Sequence, residues 1–174
     1  FSDLIMNEDI DEEMRREFPA EIQKSTLQLT GLVNSMLEVA NLDVSEEKLP
    51  CEPTDLRNIC IQEMERISPK LGIKYELDIT EDTFLIPTNA QYLTMVIEHL
   101  LNNANKFTEK GVITLGYKVN HSNDKICISV TDSGCGIPKE KREEVFNRFS
   151  KLDSFVPGNG LGLYLCRLIV KRLD

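Results

Sequence analysis

Tryptophan is missing from all 174 residues, histidine occurs only twice, and glycine and proline number just 9 and 7. So little glycine and proline, with no low-complexity stretch, excludes a collagen-like or otherwise fibrous chain and a proline-rich disordered one. Long hydrophobic runs are absent too. No stretch of about 18 apolar residues offers a transmembrane helix, and the first residues lack the basic start and apolar core of a signal peptide. Cations are in deficit: 20 Lys and Arg stand against 29 Asp and Glu, a formal net charge of −9. Binding nucleic acid irrespective of its sequence needs a surplus of basic side chains to neutralise phosphates, so nucleic acid is not an expected partner. The five cysteines, Cys51, Cys60, Cys127, Cys135 and Cys166, show neither CxxC spacing nor a local histidine pattern. Neither a zinc site nor a disulfide framework is indicated, and they read as reduced thiols of a soluble, cytosolic chain.

What is present is ordinary for a globular domain: 41% hydrophobic and 28% charged residues, in a length that suits one main core and a smaller element. Phe1, followed at once by Leu4 and Ile5, reads as a start inside a structural element, so a fragment of a longer protein is expected. From Pro19 to Leu42 apolar residues fall at Ile22, Leu29, Leu32, Met36 and Val39, the three-and-four spacing of a coiled-coil or bundle seam. That stripe predicts a partner helix, although packing on its own domain would satisfy it as well. The acidic, proline-containing stretch from Val44 to Pro53 reads as a linker or the start of a strand, and a domain boundary is placed there.

Beyond it the pattern predicts a helix from Asp55 to Ile67, strands from Ile73 to Ile79 and Phe84 to Ile86, and a helix from Gln91 to Asn105. Two further strands, Val112 to Val119 and Lys125 to Thr131, are joined by a polar loop in the manner of a hairpin. This order predicts an α+β fold, a two-layer α/β sandwich with a mixed or antiparallel sheet covered by helices on one face. A doubly wound parallel sheet does not fit it.

Three segments carry candidate chemistry. On the helix from Gln91, Leu93, Ile97, Leu100 and Ala104 form a core stripe, and His99, Asn103 and Lys106 recur beside it at i, i+4 and i+7. An amide oxygen suits a hard cation and an ammonium suits phosphate, yet a plain solvated helix face carries the same residues. At the end of the Lys125 strand, Asp132-Ser133-Gly134-Cys135-Gly136-Ile137-Pro138 offers a carboxylate acceptor and glycines that let backbone approach a flat ligand. A strand-ending turn uses the same residue types. Finally Gly158-Asn159-Gly160-Leu161-Gly162-Leu163 opens a helix on which Leu161, Leu165 and Leu168 share a face. Unpaired N–H groups at such a start attract phosphates. Neither the strand-first setting of a dinucleotide fingerprint nor the Lys-Ser/Thr of a P-loop accompanies it.

In this order the three segments resemble the N box and the two glycine boxes of sensor histidine kinases, members of the GHKL superfamily of ATPases. Phe146-Asn147-Arg148-Phe149 looks like the F box and Ser150 to Pro157 like a short ATP lid, which favours the kinases over their chaperone, mismatch-repair and gyrase relatives. The resemblance covers Pro50 to Asp174 and implies a Bergerat-type catalytic ATP-binding domain over residues 50–174, short of the family's last strands. Residues 1–49 resemble the end of the family's dimerisation and phosphotransfer hairpin: a stub of its first helix at Phe1 to Asn7, then its second helix. The phospho-accepting histidine motif falls outside the chain, and neither His99 nor His121 replaces it by position.

The resemblance further implies ATP and Mg²⁺ as ligands, a homodimer formed through the hairpin, and a response regulator receiver domain as partner in a phosphorelay. The activity it implies is transfer of the γ-phosphoryl of ATP to a histidine, by the cytoplasmic portion of a membrane-anchored sensor. It assigns Asn103 to Mg²⁺, Lys106 and Arg148 to catalysis at phosphate, Phe107 to the base or ribose side, and Asp132 to the adenine amino group. Gly134, Gly136 and Ile137 would shape the adenine pocket; Gly158, Gly160, Leu161 and Gly162 would wrap the triphosphate, with Lys151 nearby. His99 occupies a nucleotide-binding position that is usually Asn in these kinases and Glu in the hydrolytic relatives, and imidazole is a poor ligand for Mg²⁺. Two other expectations stay open: a self-standing ATPase with His99 as general base, and a non-catalytic module whose helices merely dimerise.

Overall fold

The computed structural model describes residues 12–44, 49–79, 83–120, 125–151 and 159–173. Its first element is α1, Glu12–Val44, a helix of 33 residues. The apolar stripe read from sequence runs from Pro19 to Leu42; the described helix already runs from Glu12, so the proline lies inside it. There it removes only the rung to the carbonyl of residue 15, a local loss that a helix this long absorbs. The expected helix stub at Phe1 to Asn7 lies outside the described residues.

β1 (Glu52–Asp55) falls at the end of the expected linker and pairs antiparallel with β3 (Leu85–Thr88). Its four residues include Pro53, which faces Pro87 in the register. Sequence reads this stretch as a linker or the start of a strand, since prolines in a two-stranded edge sheet leave no alternating pattern to decide between the two; the strand forms. α2 (Leu56–Arg66) follows at once, capped by Asp55, whose carboxylate accepts from the Asn58 N–H at 3.3 Å. β2 (Ile73–Ile79), β4 (Gly111–Asn120) and β5 (Lys125–Asp132) build the second sheet, with β2 parallel to β4 and β4 antiparallel to β5. The hairpin thus forms as its sequence predicts; its connection, 121–124, lies outside the described residues. α3 (Ala90–Phe107) is capped by Asn89, which accepts from the Tyr92 N–H at 3.1 Å and donates its amide to the Pro50 carbonyl at 2.9 Å. α4 (Gly162–Leu173) closes the described chain.

Strand alternation sorts the sheet into two faces. Ile113, Leu115 and Tyr117 of β4 are fully buried, and Ile126, Ile128 and Val130 of β5 pack beside them, whereas Lys125, Cys127, Ser129 and Thr131 are exposed. Leu56, Ile59 and Cys60 of α2 and Leu93, Ile97, Leu101 and Ala104 of α3 complete this core. Helices therefore cover one face of a mixed sheet, the α+β, two-layer arrangement that the element order predicts. Phe84 stacks on Tyr117 with centroids 5.8 Å apart and so ties the edge pair to the larger sheet.

A second cluster sits on the opposite side of α3. Val96 meets Leu165, Cys166 and Ile169 of α4 and Val39 and Leu42 of α1, with Leu100 at its edge. Leu100 accordingly faces α4, and Leu101 takes its expected place in the main core. Val39, the last residue of the predicted seam, is buried against this chain's own helices, and the Arg172 guanidinium of α4 donates to the Leu42 carbonyl at 2.5 Å. A cation on a last-turn carbonyl is what the unpaired end and negative pole of α1 favour. Leu27, Leu29, Val33, Met36 and Leu37 of α1 stay exposed.

Candidate functional site

The last two turns of α3 are fixed from the side of β2. Asn105 accepts the Tyr75 hydroxyl at 2.7 Å and donates to the Ser68 carbonyl at 3.1 Å, and the Lys70 ammonium reaches the Asn105 carbonyl. Sequence gives no hint of this clamp, because the partners of Asn105 lie 30 and 37 residues away. Just past α3, Thr108 is fully buried, and its Oγ1 has no hydrogen-bond partner among the described residues.

Beside that end of α3 stands the first glycine turn. Ser133 Oγ accepts from the Val112 N–H at 2.9 Å, and the Ser133 N–H donates to the Val112 carbonyl at 3.1 Å, which pins the turn to the start of β4. Gly111, at φ 123°, has no room for a side chain: a Cβ would lie 2.1 Å from Ser133 Oγ. Asp132 Oδ1 accepts from the Gly134 N–H at 2.9 Å. Gly134 itself passes so close to α3 that a Cβ would meet the Phe107 carbonyl oxygen at 2.5 Å. Asp132, Gly136 and Ile137 are exposed beyond this contact, with Gly136 at φ 69° and open space around it.

The second glycine turn meets α3 nearer its middle. Gly160 adopts φ 68°, and a Cβ there would lie 2.7 Å from the Ser150 carbonyl oxygen, so the turn is threaded against the end of the Phe146-to-Phe149 segment. Asn159 Oδ1 accepts from the Leu161 N–H at 3.2 Å, and the Leu161 carbonyl accepts from the Leu165 N–H at 2.8 Å, which starts α4. The first N–H groups of α4 have no carbonyl ahead of them in the helix, its first turn holds no acidic residue, and Lys171 and Arg172 occupy its last. Leu161 is buried and anchors this start. Gly162 rests on His99: a Cβ would lie 3.4 Å from Nδ1, 3.8 Å from Cγ and 4.0 Å from Cε1.

The remaining candidates lie around these two turns. Asn103 and Lys106 are half-buried on α3. The Lys106 ammonium sits 4.9 Å from the centroid of the Phe107 ring, and burial, with the nearby charge of Lys151, holds its pKa below the usual lysine value. Burial likewise lowers the His99 pKa, against smaller opposing effects of Glu98 and of Glu38 on α1. Arg148 lies over the Tyr164 ring at 4.8 Å, against the first turn of α4. Gly158 and most of the expected lid, 152–158, lie outside the described residues. Ser133, Gly111, Asn105, Asn159 and Tyr164 support the site without being singled out by sequence; only Ser133 and Asn159, inside glycine-rich runs, carried any signal.

The comparisons with known proteins agree with this geometry. Residues 88–174 match the family described as histidine kinase-, DNA gyrase B-, and HSP90-like ATPase. An uncharacterized sensor-like histidine kinase, ycf26 of Pyropia yezoensis, is 29% identical over 95% of this chain and 28% of its own length. The adaptive-response sensory kinase SasA of a Synechococcus strain is 27% identical over 93% of this chain and 44% of its own. Among solved structures, full-length ShkA in complex with AMPPNP shares 26% identity and superposes with a TM-score of 0.77, over 91% of this chain and 34% of that one. The chain thus spans less than half the length of these relatives. It belongs to the histidine kinase-, DNA gyrase B-, and HSP90-like ATPase family, and among its members it sides with the sensor histidine kinases.

Proposed function

We propose that this chain binds ATP with Mg²⁺ and that the intact protein transfers the γ-phosphoryl group to a histidine for relay to a response regulator. One observation carries the reading: both glycine turns close on the same helix, Gly134 at Phe107 and Gly162 at His99. Those contacts are eight residues, about 12 Å of helix, apart. A nucleotide laid along α3 would have its base at one turn and its phosphates at the other. The relative that carries AMPPNP, an ATP analogue, supports the same ligand.

Asp132 Oδ1 is held by Gly134 N–H, so Oδ2 is the acceptor available to an adenine amino group. Gly134, Gly136 and Ile137 border the base and Phe107 the ribose side. At the other end, Gly160 and Gly162 would present backbone N–H groups to the phosphates, Leu161, its N–H held by Asn159, would anchor the turn that wraps them, and the glycine-rich motif assigns Gly158 to the same role. Burial, and then the nearby charge of Lys151, lower the proton affinity of Lys106, and a polyanion drawn to the two ammonium groups relieves that strain. Arg148, beside the same helix start, would neutralise charge developing on the transferred group.

The donor set fits a hard cation, since Asn103 offers an amide oxygen between the two turns, and it would hold Mg²⁺. When bound, that ion supplies charge neutralisation at the phosphates. The exposed leucines, valine and methionine of α1 fit a second copy of the chain as dimer partner. Among the described residues no helix is long and apolar enough to cross a membrane; we place this portion on the cytoplasmic side of a membrane-anchored sensor.

Calorimetric titration with ATP and Mg²⁺ tests the reading, with saturable binding expected. Incubation with γ-labelled ATP is expected to leave no acid-labile phosphohistidine, because the acceptor motif is not in this chain. Absence of binding, or label on His99 or His121, overturns the proposal.

A further inference from the structure

Building on that nucleotide reading, we propose that His99 is a positioning residue for the phosphate-binding start of α4, a flat floor on which Gly162 rests, and not a ligand of the metal ion. A Cβ at Gly162 would lie 3.4, 3.8 and 4.0 Å from three consecutive ring atoms. Distances so similar describe a group standing over the ring; one beyond its edge would be markedly farther from the flanking carbons. A Cβ there would be in ordinary van der Waals contact with the imidazole, so an α-proton of Gly162 is directed at the ring at the residue where α4 begins.

The chemistry of the ring agrees with a packing role. Imidazole is a softer donor than Mg²⁺ selects, and Asn103, one turn further along α3, offers the oxygen that it does select. Leu161 and Leu165 are buried and Arg148 lies over Tyr164 on the same first turn, and His99 adds its support at Gly162. Without the ring, the N–H groups of that turn lose their fixed aim. Adenine recognition, at the far end of α3, does not depend on it.

Three forms of the whole chain decide the matter: the unaltered protein, His99→Ala, and His99→Phe, which keeps a flat ring and has no nitrogen. His99→Ala is expected to weaken ATP-Mg²⁺ and ADP-Mg²⁺ by about tenfold, roughly 1.4 kcal/mol, with adenosine changed by less than about twofold. His99→Phe is expected to recover ATP-Mg²⁺ to within about threefold, at an unaltered Mg²⁺ midpoint. Equal loss in the two variants would assign the role to the ring nitrogens, and equal loss of adenosine to general unfolding; either overturns the inference. If the unaltered chain binds no nucleotide, the underlying reading fails instead. The packing is then read without ligand, from the ring-current shift of the Gly162 α-protons. That shift should be present in the unaltered chain, lost in His99→Ala and kept in His99→Phe; its persistence in His99→Ala overturns the contact.

Discussion

Asp132 has one oxygen in a structural turn and, in the proposed reading, the other left for the adenine amino group. One carboxylate oxygen closes the turn onto Gly134, and the residue remains exposed at the strand end. Asp132→Asn keeps an oxygen for that turn and removes the charge from the recognition bond. It should therefore weaken ATP by about 1–3 kcal/mol without unfolding the chain. Competition between ATP and GTP is the accompanying measurement, because guanine presents a carbonyl where adenine carries its amino group. GTP binding as well as ATP in the unaltered chain would remove Asp132 from that role. The buried thiols tell a different residue-scale story: burial pushes the pKa of Cys60 up to about 11 and, against a smaller opposing backbone hydrogen bond, that of Cys166 to about 12, so they behave as small apolar side chains in the two cores.

At the scale of elements, α3 is the organising piece, because it is buried on two sides. Leu93, Ile97, Leu101 and Ala104 face the sheet, and Val96 with its neighbours faces α4 and α1. This leaves one strip of α3, carrying His99, Asn103 and Lys106, beside the glycine turns. α4 in turn has its start at the site and its end on α1, so its packing serves both. Leu165, fully buried between them, is the residue to test. Leu165→Ala should destabilise the chain by about 2–5 kcal/mol in urea unfolding, through lost transfer energy and the cavity left behind. Val170→Ala on the exposed side of the same helix should stay within about 0.5 kcal/mol. Similar effects at both positions would mean that the second cluster is not a packed core.

For the whole molecule, the open question is what covers α1. Its end is docked on α4 through Val39, Leu42 and Arg172, while Leu29, Val33 and Met36 remain exposed. A second copy meeting that stripe would bury it, so sedimentation is expected to show a concentration-dependent dimer. Met36→Lys, which sets a charge in the stripe, should shift it to monomer. A monomer at every concentration would refute the dimer. How much of this the sequence shows depends on the range of the interaction responsible. Periodicity and caps are local, so α2, α3, β2 and the β4–β5 hairpin are legible in it to within two residues. The motif residues are legible for the same reason: a helix start preceded by glycines, or an Asp-Ser-Gly turn after a strand, has its chemistry within a few positions. Tertiary structure alone decided between linker and strand at β1, because a four-residue strand with a proline is selected by its partner β3 and not by its own pattern. It alone turned Val39 inward, clamped the end of α3 through Asn105 to Tyr75 and Ser68, and set Gly162 on His99. Each of these joins residues thirty or more positions apart, where side-chain volume and hydrogen-bond demand choose the partner and no local spacing records the choice.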